Sequence, residues 1–217
     1  KMKIISVQNI ENLTSQHADI KITIQPGTEI IFLNGIMNEL IQRKAYNRDI
    51  EKIENFSELC EVVKKYPAKT VCDLCKVSRE KFDELVDAIE NSKVFGVMHG
   101  MGITQHINGT ANAHSLLNIM ILKSGKLLSG RGEINVQGVG DMGCLPDSMS
   151  AVLKNREAVE NIWKTKLPKE FGKNMIDSLL VSHVKAAFIS GFNPAQSLPS
   201  LDRVHGNLSK MFLVQLD

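Results

Sequence analysis

The sequence contains neither a long apolar run nor an excess of charge of either sign. Its longest apolar stretches, such as Leu116–Leu122, are far shorter than the roughly 18 residues of a membrane span. The 26 Lys and Arg and 24 Asp and Glu are spread along the chain and leave a formal charge of +2. Because nucleic-acid and membrane surfaces attract clustered basic residues, neither is expected as a partner.

Cysteine is also scarce, with four residues in a chain of 217. That number is too small for a secreted fold held by disulfides, so a reducing, cytoplasmic compartment is expected. Cys72 and Cys75 have the spacing of half a metal site, but no second pair and no neighbouring histidine accompany them. We therefore expect two small residues on one face of a short helix, and no metal ligand in this chain.

The remaining composition is that of an ordinary globular protein, 43% hydrophobic and 23% charged. The length corresponds to about one and a half typical domains. Residue 1 is lysine rather than methionine, and residues 211–217 have the pattern of a strand that stops at the chain end. We therefore expect the polypeptide to continue beyond both ends.

Short β-branched runs alternate with segments of helical periodicity. Strands are predicted at Lys3–Val7, Ile20–Ile24, Val94–Val97, Lys185–Ser190 and 211–217. Helices are predicted around 30–41, 51–65, 71–76, 110–121, 150–165, 174–183 and 201–208, and a further helix is expected to be capped by Ser78 and to carry Phe82, Leu85, Val86 and Ile89 on one face. This alternation is typical of an α/β fold with a mainly parallel sheet. The glycine-rich segment Lys123–Gly143 has no clear period, and its length favours a functional loop over a simple connection.

Three glycine-containing loops carry the candidate binding residues, because ligands of α/β sheets collect beyond the carboxyl ends of strands. The first contains Gly100-Met-Gly102, where a glycine backbone can approach a phosphate but the third glycine of a dinucleotide fingerprint is absent. A nucleotide site and a tight turn both remain open there. Asn193 precedes a proline, which fits an ordinary turn or a contact to a base. Arg131 lies between two glycines, and it is either a solvated loop residue or a holder of a carboxylate or phosphate.

One longer motif narrows these alternatives. Residues 131–147 read Arg-Gly-Glu-Ile-Asn-Val-Gln-Gly-Val-Gly-Asp-Met-Gly-Cys-Leu-Pro-Asp, which resembles the catalytic (alpha) subunit of molybdopterin-dependent formate dehydrogenases. Segments 18–34, 100–110, 191–194 and 214–217 resemble the same family in the same order. The resemblance runs nearly from end to end and covers only the middle of such a subunit.

The resemblance implies a Rossmann-like three-layer αβα fold built from parts of two domains. Residues 1–130 would be the carboxyl-terminal part of one pterin-dinucleotide domain, and residues 131–217 part of a second. The implied cofactor is molybdopterin guanine dinucleotide with molybdenum or tungsten. The iron–sulfur cluster and the metal-ligating residue of the family are expected outside this segment, so the isolated chain should be inactive.

Individual roles follow from the matched positions. Arg131 corresponds to the arginine that orients the substrate carboxylate, and Glu133 stands where the family has glutamine two residues later. Met101, Gly102 and Gln105 correspond to a cofactor-contacting loop; Asn193 and Asp217 correspond to positions that meet the guanine nucleotide. The implied partners are formate or a similar small substrate and, in the full enzyme, electron-transfer subunits.

Two departures from the family pattern leave the substrate open. Two like charges about 5 Å apart at an effective dielectric constant of about 20 repel by roughly 3 kcal/mol, so an ionised Glu133 would oppose a formate anion or pair with Arg131. The family's Asp-Pro-Arg is replaced by Gln8-Asn9-Ile10. The alternatives are therefore a related pterin enzyme, such as a formylmethanofuran dehydrogenase subunit, and a non-catalytic nucleotide-binding or assembly module.

Overall fold

The first 130 residues form an α/β arrangement around two parallel strand pairs. A computed structural model describes residues 2–130, 134–146, 156–181 and 184–216. The chain divides into two compact units, Lys1–Gly132 and Glu133–Asp217. The expected assignment of residues 1–130 and 131–217 to two pterin-dinucleotide domains stays a prediction.

Unit 1 begins with two parallel strands, β1 (Ile5–Gln8) and β2 (Ile20–Thr23), joined through the one-turn helix α1 (Leu13–Gln16). The strand register pairs Ile5 with Ile20 and Gln8 with Thr23. In β2 the isoleucines are buried and the intervening Lys21 and Thr23 are exposed, because successive side chains of a strand point to opposite faces.

Four helices then follow: α2 (Glu29–Gln42), α3 (Phe56–Val63), α4 (Ala68–Cys75) and α5 (Arg79–Glu90), with a 3₁₀ turn at Arg48–Lys52. Residues 32–40 of α2 are buried all round, as in a helix at the centre of a core. Ser78 caps α5 by accepting a hydrogen bond from the backbone N–H of Lys81. The predicted apolar face of α5 is confirmed, since Phe82, Leu85, Val86 and Ile89 are buried.

A second parallel pair completes unit 1: β3 (Gly96–His99) and β4 (Lys126–Ser129), connected through α6 (Gly109–Lys123). Strand β4 corrects the prediction of an aperiodic loop over Lys123–Gly143, and α7 (Ile134–Asp141) corrects it again in unit 2. Both β4 and α7 are short. The glycines on which the prediction of a loop was based lie between these two elements and within α7.

Unit 2 contains α7, α8 (Arg156–Trp163), a π-helical turn at Asp177–Val181, β5 (Ala186–Ser190), α9 (Pro194–Ser197), α10 (Leu201–Leu208) and β6 (Phe212–Leu216). Strands β5 and β6 are parallel. Among the described residues of unit 2, the buried apolar cluster is small and is formed by Leu179, Leu198 and Val204. On the sheet, Phe188 and Phe212 keep 70% and 73% exposure, so one face of this strand pair is apolar and uncovered in the described chain.

Every strand pair among the described residues is parallel, and helices connect the strands of each pair. The predicted α/β class is therefore confirmed. The strands form three two-stranded sheets in the described part of the chain, and the Rossmann-like three-layer arrangement stays a prediction. No helix of that same part combines the length and apolar character needed to cross a membrane.

Candidate functional site

The segment between β3 and α6, residues 100–108, carries three of the predicted site residues. Backbone N–H groups of Thr104 and Gln105 both donate to the carbonyl oxygen of Met101, at 3.0 and 2.8 Å. These bonds wind the segment into a turn, which we call the β3–α6 loop. Met101 is 42% exposed, and the side chain of Gln105 is exposed beside it. A Cβ added at Gly102 would meet nothing within 4 Å, so this side of the turn is open.

Contacts with helix α6 fix the position of the β3–α6 loop. The side-chain amide of Asn112 donates to the carbonyl oxygen of Ile103 at 3.0 Å, and Asn112 is 2% exposed. At Gly109 the backbones approach so closely that a Cβ would overlap the carbonyl oxygen of Thr104. Glycine is therefore required at position 109 for steric reasons, although its φ is not in the left-handed region.

The ends of β3 and β4 meet at the base of this loop. The backbone N–H of Gly130 donates to the carbonyl oxygen of His99 at 2.7 Å. Gly130 directly precedes Arg131 in sequence, but Arg131 and Glu133 lie outside the described residues. The described geometry thus brings the residue before Arg131 to the strand end from which the β3–α6 loop starts.

A buried carboxylate outside the predicted site lies at the carboxyl ends of β1 and β2, within reach of the β3–α6 loop. Glu29 begins α2, and its side chain is 6% exposed. Its Oε1 accepts from the side-chain amide of Asn9 at 3.1 Å and from the backbone N–H of Gly27 at 3.3 Å. The ring Nε2 of His106, in the β3–α6 loop, lies 3.7 Å from the same oxygen. The sequence feature that could have indicated this role is the acidic residue in the first turn of a helix, two positions after the Pro26-Gly27 turn.

Unit 2 has a strand end of its own, formed by β5 and β6. Gly191 adopts a φ of +60° and its N–H donates to the carbonyl oxygen of Leu216 at 3.0 Å. Asn193 caps α9, with its side-chain oxygen accepting from the N–H of Ala195 at 3.1 Å. Asp217 follows Leu216 in sequence and lies outside the described residues. The structure therefore brings Met101, Gly102 and Gln105 together on one loop of unit 1, whereas Asn193 belongs to unit 2.

The Cys72–Cys75 pair lies in the core rather than at a strand end. Both residues are on α4, with 8% and 0% exposure. Desolvation by burial raises the pKa of each thiol, which keeps both protonated at neutral pH. No group of three or more His, Cys, Asp or Glu suited to a metal ion occurs in the described ranges.

The residues at these strand ends suit a polar dinucleotide. Gln105 and Asn193 carry amides, which both donate and accept hydrogen bonds as a purine edge requires. Asn112 also has a buried side-chain oxygen with no hydrogen-bond partner in the described structure, directly beneath the β3–α6 loop. Such an unpaired acceptor is costly unless another donor reaches it. Within each unit, the exposed or unpaired polar groups at the strand end thus fit the polar cofactor that the resemblance implies.

Comparison with known proteins adds an independent observation. The alpha subunit of the F420-dependent formate dehydrogenase of Methanocaldococcus jannaschii is 30% identical over 229 residues, which cover 99% of this chain and 34% of the relative. The nitrate reductase of a Synechocystis species is 29% identical, covering 94% of this chain and 31% of the relative. No established protein-family profile matches the chain.

A solved structure supports the fold alone. Acetylene hydratase from Pelobacter acetylenicus aligns with a TM-score of 0.53 at 17% sequence identity, over 55% of this chain and 17% of that one. At this low identity, the alignment supports the α/β architecture and indicates nothing about function.

The class defined by these relatives is that of the oxidoreductases named formate dehydrogenase or nitrate reductase. Further formate dehydrogenases match at 28–29% identity, so the resemblance to formate dehydrogenase alpha subunits is confirmed. The chain matches those subunits over nearly its whole length and spans about a third of theirs.

Proposed function

We propose that this chain is a cofactor-binding portion of a molybdenum- or tungsten-pterin oxidoreductase that acts on formate. The supporting observation is the similarity to formate dehydrogenase alpha subunits, which extends over 98–99% of the chain. The proposed cofactor is molybdopterin guanine dinucleotide, bound by parts of two Rossmann-like domains, 1–130 and 131–217. The iron–sulfur cluster belongs to polypeptide outside this segment.

In the proposed site the β3–α6 loop contacts the dinucleotide. Gln105 offers an exposed amide, Met101 an exposed thioether, and Gly102 a backbone with open space around it. Unit 2 is proposed to hold a dinucleotide of its own, in which Asn193 and Asp217 meet the guanine nucleotide. Parallel strands end at both places, and strand ends are where α/β folds bind nucleotides.

The proposed reaction removes two electrons from formate. Its C–H bond breaks, and HCOO⁻ becomes CO₂ with the release of one proton and two electrons. When bound, the metal–pterin group supplies the electron acceptor for that step. Arg131 holds the substrate carboxylate through two parallel N–H···O bonds. Electron-transfer subunits carry the electrons away; the relative from M. jannaschii is named as dependent on F420. Four free cysteines fit a reducing, cytoplasmic compartment.

A second candidate function is the same chemistry on another small substrate. Two observations favour it: a nitrate reductase matches almost as well as the formate dehydrogenases, and Glu133 places a carboxyl group two residues from Arg131. A formylmethanofuran dehydrogenase subunit is a further alternative, which the departures from the formate dehydrogenase pattern at Glu133 and Gln8-Asn9-Ile10 favour. A non-catalytic nucleotide-binding or assembly module would retain the scaffold without redox chemistry.

The test begins with the polypeptide purified from its own cells. We expect stoichiometric molybdenum or tungsten, together with iron, in elemental analysis. Arg131→Ala should then lower kcat/KM for formate by at least about 100-fold, the loss expected for a charge-assisted pair. Arg48→Ala is the matched control, because Arg48 is an exposed arginine that pairs with Glu51 and lies outside the site. A polypeptide without these metals would support the assembly module.

Glu133→Gln separates the substrates. If Glu133 is ionised and repels formate by roughly 3 kcal/mol, its neutralisation should raise kcat/KM for formate by up to about 100-fold. Nitrate is the competing substrate in the same assay. Turnover of nitrate but not formate by the unaltered enzyme would favour the second candidate.

A further inference from the structure

Glu29 joins the segments that follow three successive strands of unit 1. Asn9 is the first residue after β1, Gly27 belongs to the turn after β2, and His106 belongs to the β3–α6 loop. All three approach one atom, Oε1 of Glu29, at 3.1, 3.3 and 3.7 Å. One buried carboxylate oxygen therefore connects the carboxyl ends of β1, β2 and β3.

Two of these contacts form a fixed base. Asn9 and Gly27 are neutral donors, and the amide of Asn9 also reaches the carbonyl oxygen of Ile24 at 3.5 Å. Glu29 occupies the first turn of α2, where the helix dipole favours a negative charge. The carboxylate is thus held in place from the β1 and β2 side without any contribution from His106.

The third contact is of a different kind. His106 is 29% exposed at its side chain, and its ring reaches Glu29 from a loop that is otherwise held by backbone turns and by Asn112. The backbone carbonyl of His106 accepts from the N–H of Gly109, so the ring is anchored to the start of α6. Its contact with Glu29 links the β3–α6 loop to the neighbouring strand ends.

We propose that Glu29 is a positioning residue, which acts through His106 to orient the β3–α6 loop so that Met101 and Gln105 face the cofactor. This inference rests on the proposed function.

The substitution Glu29→Gln isolates the contact with His106. Glutamine retains an oxygen that accepts from Asn9 and Gly27, but it removes the carboxylate oxygen pair and the negative charge that face the His106 ring. We expect hydrogen exchange at the amides of Thr104 and Gln105 to accelerate about threefold in the 217-residue chain, the factor expected when one weak, partly exposed contact is lost. Urea midpoints should fall only slightly, because the charge–dipole contribution at the start of α2 is lost whereas the core contacts remain.

A double-mutant cycle with His106→Gln distinguishes this role from a general structural one. If Glu29 acts through His106, Glu29→Gln should cause no additional acceleration in the His106→Gln background. Asp19→Asn is the matched control: Asp19 accepts from the N–H of Ile4 at 2.8 Å, at the opposite end of β1 and β2. It should leave exchange in the loop unchanged.

The proposed function is measured separately, with GDP as the probe in calorimetry. Weaker GDP binding by Glu29→Gln than by Asp19→Asn, by about the same threefold factor, would support the complete inference. Equal exchange in the unaltered chain and Glu29→Gln, or additive effects of the two substitutions, would overturn the positioning role. Absence of GDP binding by the unaltered chain would count against the proposed function. The exchange data would still show whether the contact between Glu29 and His106 positions the β3–α6 loop.

Discussion

The close approach between Gly109 and Thr104 gives the sharpest prediction for the β3–α6 loop. A Cβ built at Gly109 overlaps the carbonyl oxygen of Thr104 and lies 2.7 Å from its carbonyl carbon. Since carbon atoms pack best at about 3.5 Å, Gly109→Ala forces this carbonyl back by roughly 0.8 Å. The obstacle is backbone, so no side-chain rotation can relieve it.

The magnitude follows from two opposing effects. Overpacking costs about 1–3 kcal/mol, whereas replacing a helical glycine by alanine ordinarily stabilises by about 0.5–1 kcal/mol. Because the obstacle at Gly109 is backbone, the overpacking cost falls in the upper part of its range, about 2–3 kcal/mol. Set against a gain of about 1 kcal/mol, the net loss is about 1–2 kcal/mol, which corresponds to roughly a 5- to 30-fold change in an opening equilibrium. The loop should yield before the core, because its turn rests on the two bonds to Met101 and the one from Asn112.

Hydrogen exchange measured by mass spectrometry is the assay. Peptides containing Thr104 and Gln105 should exchange about 5- to 30-fold faster in Gly109→Ala, with little change in peptides from α2 and α5. Gly206→Ala is the matched control, because Gly206 lies inside α10 and a Cβ there meets nothing within 4 Å. That control should gain about 0.5–1 kcal/mol. If Gly109→Ala also stabilised the chain and left loop exchange unchanged, the close approach would not exist in solution.

Two further predictions concern thiol reactivity and pH. Cys144 is exposed, whereas Cys72 and Cys75 are buried and have raised pKa values. A maleimide should therefore label Cys144 rapidly, and Cys72 and Cys75 only after the protein unfolds. Early labelling of Cys72 and Cys75 in the native protein would contradict the packing of α4. The pKa of Glu160 is lowered mainly by the hydrogen bond that Lys166 donates to its carboxylate at 3.0 Å. The backbone N–H of Leu167, which also donates to this carboxylate, lowers the pKa further. A lowered pKa in the folded state means that the stabilisation is complete above the ordinary value of 4.5 and is lost as pH falls through the folded value. Lys166→Ala should move the Glu160 midpoint in a carbon-detected NMR titration back towards 4.5, and an unmoved midpoint would exclude this pair.

The motif at 131–147 predicted an oxidoreductase relationship that the comparisons support, because a motif is a local property of the chain. Periodicity likewise predicted β2 and the apolar face of α5, where isoleucines alternate and Phe82, Leu85, Val86 and Ile89 recur at helical spacing. It failed for β4 and α7. A four-residue strand and a helix containing two glycines have too little period of their own, and contacts with β3 define β4.

The sequence by itself thus determined the α/β class, the main helices and the family resemblance, because each depends on residue order within a short window. Only the tertiary structure decided which distant residues meet. Asn9 and His106 lie 97 positions apart in the sequence, with Glu29 between them, and nothing in their local sequences indicates that they converge. The crossover between β1 and β2 returns the chain to the same edge of that sheet, which brings Glu29 close to Asn9. His106 follows a strand of the other sheet, and it reaches Glu29 because α6 packs against α2. The same return places Gly130 beside His99.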